Sequence, residues 1–154
     1  MISQEHDQAL RQFLDTLYQG NRQAIDLSIK LFGIAQVWDD IIDGDEYSIQ
    51  SVNRAFVAAL VEIPTNPIYQ AMPELPYHIY NVFLRWRDAT NIENGVHDDN
   101  DLHKCYMLRA GLYDIFALIA AKLYGDDYAE RVGPSIRRFY GETFQSYSKE
   151  FKNA

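Results

Sequence analysis

An all-α fold is predicted, a single bundle of about five to six main helices over residues 1–154, and three observations predict it. Apolar residues recur at spacings of three and four through most of the chain, the mark of a helix with one buried face. Four glycines, Gly20, Gly44, Gly95 and Gly125, each follow such a stretch, where a left-handed C-terminal cap is expected. No stretch shows the strict alternation that a half-buried strand requires.

The first helix is expected from Ser3 to Gln19, with Leu10, Phe13, Leu14 and Leu17 on its apolar stripe. Asn21 is a suitable N-cap for a second helix that runs to Asp43 and closes at Gly44. That helix is apolar on most sides, through Ile25, Leu27, Leu31, Phe32, Ile34, Val37, Trp38, Ile41 and Ile42. A helix so coated is expected to be the most buried element, with Trp38 at least partly inside. A third helix spans about Ser51 to Glu62 and ends at Pro64, and Asn66-Pro67 starts a single short turn. Pro76 opens a fourth helix that ends near Gly95. The fifth runs from about Asp101 to Tyr124, with small residues at Ala110, Gly111, Ala117 and Ala121 that permit close helix approach. One turn from Asp126 to Arg131 leads to a last helix opened by Pro134.

Composition narrows the function. Hydrophobic residues make up 47% and charged residues 23%, which suits a packed core rather than disorder. Met1 to Asp7 has neither a basic start nor an apolar signal core, and no apolar run is long enough to cross a bilayer. A cytoplasmic protein without a membrane partner is therefore expected. The single cysteine, Cys105, excludes an internal disulfide and a cysteine-based metal site, and reads as a buried apolar thiol. Twenty-two acidic against fourteen basic residues give a net charge of -8. That balance disfavours direct nucleic-acid binding, which needs clustered Lys and Arg, and favours a protein partner with a basic surface.

The residues with chemical content lie at the end of the second helix. Helical spacing puts Gln36, Asp39, Asp40 and Asp43 on one face, which Asp26 and Lys30 extend towards the N-terminus. Three carboxylates at the negative end of the helix dipole repel one another and the dipole, at about 0.3–1 kcal/mol each for the latter. Mg²⁺ would relieve both penalties, because it prefers carboxylate oxygen. The alternative reliefs are an arginine, from Arg85, Arg87, Arg109, Arg137 or Arg138, or plain solvation.

Gln36-x-x-Asp39-Asp40-x-x-Asp43 resembles the second aspartate-rich motif of trans-polyprenyl diphosphate synthases, and its DDxxD core is similar to the metal motif of class I terpene synthases. The resemblance covers little more than ten residues and implies Mg²⁺ held against a substrate diphosphate in an all-α enzyme, with Asp39, Asp40 and Asp43 metal-facing and Gln36 a neighbouring polar contact. The chain has no second DDxxD followed by paired arginines and no Asn-Asp-x-x-Ser-x-x-x-Glu. Asp40-x-x-Asp43 also resembles half of the Mg²⁺ clamp of all-α nucleoside triphosphate pyrophosphohydrolases, although no Glu-x-x-Glu accompanies it.

The remaining polar residues have structural explanations. Asp98, Asp99 and Asp101 lack the spacing of an EF-hand loop and suit an N-capping turn. Asp114, mid-helix among apolar residues, needs a partner such as arginine or tyrosine. The last helix carries an aromatic stripe in which Tyr140, Tyr147 and Phe151 are candidate partner-binding residues, with core packing as the alternative. Without a second carboxylate motif, the reading is a small acidic non-enzymatic interaction protein, an inhibitor or accessory factor of the kind that phage or mobile elements encode. A homo-oligomer is compatible with it. The alternative is a Mg²⁺-dependent enzyme acting on a diphosphate-containing substrate.

Overall fold

A computed structural model describes residues 4–152, which are mostly helical with no strand among them. The start expected at Ser3 lies outside the described residues. Within them α1 spans Gln4–Leu17, α2 Arg22–Asp43, and α3 Ile49–Val57, continuing through a π-helical turn, Ala58–Glu62, into Ile63–Thr65. A single turn, Pro67–Gln70, leads to α4 at Leu75–Glu93, α5 at Asp99–Arg109, α6 at Leu112–Tyr124, α7 at Asp126–Phe139 and α8 at Phe144–Lys152. These eight helices exceed the five to six predicted, because two expected continuities are broken. None of them is long and apolar enough to cross a membrane.

The helix ends show which local signals operate. Asn21 accepts the Ala24 N–H at 3.1 Å and so caps α2. Gly44 adopts φ 75°, and the N–H groups of Gly44 and Asp45 both donate to the Asp40 carbonyl, Asp45 at 2.8 Å. Gly20 and Gly125 also take positive φ, whereas Gly95 does not, since α4 ends in right-handed geometry at Asn94. Pro64 does not end α3. It sits just after the π-helical turn, whose wider winding relieves the clash of the ring with the preceding turn.

The first break comes at Ala110-Gly111, inside the helix expected from Asp101 to Tyr124. Side chains of α4 take the carbonyls that the continuing helix would use. Arg85 Nη2 donates to Met107 O at 2.9 Å and Trp86 Nε1 to Arg109 O at 3.2 Å. Any Cβ on Gly111 would press on the Arg85 and Val82 side chains, each 3.4 Å away. The second correction concerns Pro134. It lies inside α7 rather than opening the last helix, which instead begins at Phe144.

The chain divides into two compact units, residues 1–73 and 74–154. In the first, Leu10, Leu14, Leu17 and Tyr18 are buried together with Ala24, Leu27 and Leu31 of α2. The Tyr18 hydroxyl meets Ser28 Oγ at 2.9 Å, and burial drives the phenol pKa well above its usual range. Asn66 ties the Pro67–Gln70 turn to α2, donating to Gln23 O at 3.0 Å while accepting from Ile68 N–H. The second unit packs α6 on α7 and α4 on α5, and buries Ile115, Phe116, Ile119 and Ile136.

α2 is not the most buried element, contrary to expectation. Six of its 22 residues are buried, all between Ala24 and Ala35, against six of 13 in α6. α1 supplies 14 residues to α2's 22, so its ladder covers only the first part of the longer helix. Trp38 is half-buried, but Ile41 and Ile42 are each 45% exposed.

Candidate functional site

The acidic face of α2 forms with the geometry that helical spacing dictates. Gln36, Asp39 and Asp40 are half-buried and Asp43 is exposed in the last turn. Among the described residues, no group of three or more His, Cys, Asp or Glu side chains is placed to hold a metal ion. Further up the same helix, Lys30 Nζ pairs with Asp26 at 2.7 Å and with Glu62 at 3.5 Å. Burial opposes its charge, but the two carboxylates outweigh that and raise its pKa. These groups line an open groove of about 350 Å³ with Arg22 and Asn66, where opposite charges already satisfy one another.

In the second unit, three of the five arginines considered as partners for acidic groups, Arg85, Arg109 and Arg137, pair with carboxylates. Asp114 receives both Arg85 and Arg137, a partner of the expected kind, and lies in the first turn of α6 rather than mid-helix. Arg109 reaches from α5 to Glu93 of α4, whose side chain is 3% exposed, and donates to Thr90 Oγ1 at 3.1 Å. Tyr147 of α8 donates its hydroxyl to the same Glu93. Burial, reinforced by that carboxylate, pushes the Tyr147 pKa far above the usual phenol range. Beside it Cys105 is fully buried, with a thiol pKa raised by burial and by Glu93.

The aromatic stripe of the C-terminal helix region belongs to this interior. Tyr147 is 4% exposed, and Phe144 and Phe151 pack with it against Ala89, Leu102 and Cys105. Tyr140 is half-buried, its ring between Tyr106 at 5.6 Å and Tyr113 at 5.4 Å. Tyr106 donates to the Glu142 carbonyl at 2.6 Å, closing the loop before α8. The acidic turn at Asp98 to Asp101 is a capping box: Asp101 N–H donates to Asp98 at 2.8 Å. Lys104 donates to Asp101 at 2.9 Å and holds its carboxyl below the usual range.

The feature that sequence reasoning missed lies on α3. Helix formation begins at Ser48, whose Oγ accepts the Ser51 N–H at 3.0 Å. Residues Ile49, Phe56 and Leu60 then recur on one side of the helix, with Val57 and Val61 beside them. None of Ile49–Val57 is buried. Exposures reach 75% at Ile49, 62% at Phe56 and 72% at Leu60. The side turned inward carries Ser51, Val52, Ala55 and Ala58 instead, with Ile63 buried after the π-helical turn. Within Ile49–Val57, α3 thus shows its largest apolar side chains to solvent and packs through smaller ones. The exposed Ile41, Ile42 and Tyr47 lead into the same helix from α2. Periodicity signals that an apolar face exists but not which way it points, so no sequence signal separated this face from a core face.

No family model matches the chain, and no curated protein or solved structure matches it.

Proposed function

We propose that this protein is a non-enzymatic interaction module that binds another protein through the outward face of α3. The observation that carries the reading is the inverted packing of that helix. Large apolar side chains left in water forgo roughly 1.5–3 kcal/mol each relative to full burial. A contiguous set of them marks a surface that is covered by a partner. The net charge of -8 supports a protein rather than a nucleic acid as that partner. The residues proposed from sequence for partner contact, Tyr140, Tyr147 and Phe151, act in this reading as packing for α8.

The test is a paired substitution, Phe56→Glu with Leu60→Glu, which keeps good helix formers at both exposed positions. Binding to the protein retained by the wild-type chain is expected to weaken at least about 100-fold, the effect of losing hot-spot anchors. The melting temperature should stay within a few degrees, because exposed substitutions change stability by about 0.5 kcal/mol or less. A melting loss as large as the binding loss would return the two residues to the core. Steady Mg²⁺-dependent release of pyrophosphate from a prenyl diphosphate or a nucleoside triphosphate, abolished by Asp40→Asn, would replace the binder with the enzyme.

A further inference from the structure

We infer that the occupant of the α3 face is an apolar groove on a partner protein, edged by lysine or arginine at the end that receives Ile49. The inference rests on the preceding proposal that this face binds protein, and adds the chemistry and polarity of what it binds. Ile49, Phe56 and Leu60, at relative positions 0, 7 and 11, form the narrow ridge with which a helix enters a groove. Val57 and Val61 widen the ridge on one side.

Charge selects the occupant. From Asp40 to Glu62 the chain has five acidic residues and a single base, Arg54. Four of the five acids, Asp40, Asp43, Asp45 and Glu46, precede α3, so negative charge gathers at the Ile49 end of the ridge. The connection that carries Asp45 and Glu46 is held at both ends. Asp45 N–H is bound to the Asp40 carbonyl at 2.8 Å, and Ser48 caps the start of α3. Asp43, Asp45 and Glu46 are exposed beside Tyr47 and Ile49, so any surface that covers the ridge meets these carboxylates first.

A second copy of the chain would bring the same net charge of -8, and like charge on both partners disfavours the pairing. An anionic bilayer is disfavoured for the same reason, since helices that lie on membranes carry Lys and Arg on their polar face. A groove bordered by basic side chains satisfies both the ridge and its charged end. The asymmetry also fixes the direction in which α3 lies in that groove.

The experiment places a photoreactive benzoylphenylalanine at Phe56, and separately at Tyr47, in the full chain within its native cells, and identifies the adducts by peptide sequencing. Both positions are expected to label one protein other than this chain, the Phe56 probe on apolar residues and the Tyr47 probe beside Lys or Arg. Adding Asp45→Lys and Glu46→Lys should lower the yield at least about fivefold, as should high salt, because each removes the charge attraction. Circular dichroism and melting of the charge-reversed chain should match the parent. Adducts with a second copy or with lipid would overturn the inference. So would labelling of a protein with a yield indifferent to charge reversal, which leaves the protein-binding reading standing. Absence of any protein adduct at both positions would overturn the two together.

Discussion

Replacing Arg109 with leucine is expected to destabilise the second unit by about 3–5 kcal/mol, the cost of leaving a buried carboxylate without its counter-charge. Glu93 has a side chain that is 3% exposed, and its counter-charge is Arg109, at 14%. With Arg109 gone, Glu93 keeps the Tyr147 hydroxyl, one neutral donor for a full negative charge. That is too little to offset desolvation, so the side chain must take up a proton or the packing must open. The double substitution Glu93→Leu with Arg109→Leu should recover most of the loss, because both charges leave together. Denaturant titration of the two single variants and the double variant closes the cycle. A loss below about 1 kcal/mol for Arg109→Leu would mean that water reaches the pair.

The second large effect is alkaline. Three buried tyrosines hold their protons more tightly in the folded chain: Tyr113 is pushed up to about 12 by burial, and Tyr18 and Tyr147 go beyond that. A raised folded pKa gives stability that is whole below the ordinary phenol value of about 10, and that drains away as pH climbs above it. By about pH 11 an unfolded tyrosine has released most of its proton, so each of the three withdraws about 1.4 kcal/mol, or about 4 kcal/mol together. This is comparable with the whole stability of a small domain, ~5–15 kcal/mol. The melting temperature should therefore fall steeply between about pH 9.5 and 11, with tyrosinate absorbance rising at the same transition. A flat melting temperature across that window would show that these phenols reach solvent without unfolding.

What was legible in the sequence was local. Gly44 and Asn21 could be assigned because a cap is decided by the residue and its immediate neighbours. Asp114 could be given an arginine or tyrosine partner because a carboxylate set among apolar residues has to be paired or protonated where it is buried. Which arginines would answer was not legible, since Arg85 and Arg137 lie 29 and 23 residues away. The break at Gly111 was hidden for the same reason: the donors that replace the helical bonds come from α4. Pro134 misled because proline is favoured at the first helical position, yet α7 already has two turns of packing on α6 before it. The candidate site shows the limit most plainly. The stripe of Tyr140, Tyr147 and Phe151 and the stripe of Ile49, Phe56 and Leu60 look alike in sequence, and only tertiary packing turns the first inward and the second outward.

The isolation of Cys105 has a use of its own. It is the chain's sole thiol, it has no exposed surface, and its Sγ faces the Ala89 carbonyl at 3.8 Å. An alkylating reagent can reach it only when the second unit opens, so its modification rate is a clock for that opening, read without any introduced label. Trp38 lies in the first unit, and with Trp86 of the second unit replaced by phenylalanine its fluorescence reports on the first unit alone. Run side by side in mild denaturant, the two signals distinguish a chain that yields in one step from one whose halves let go separately.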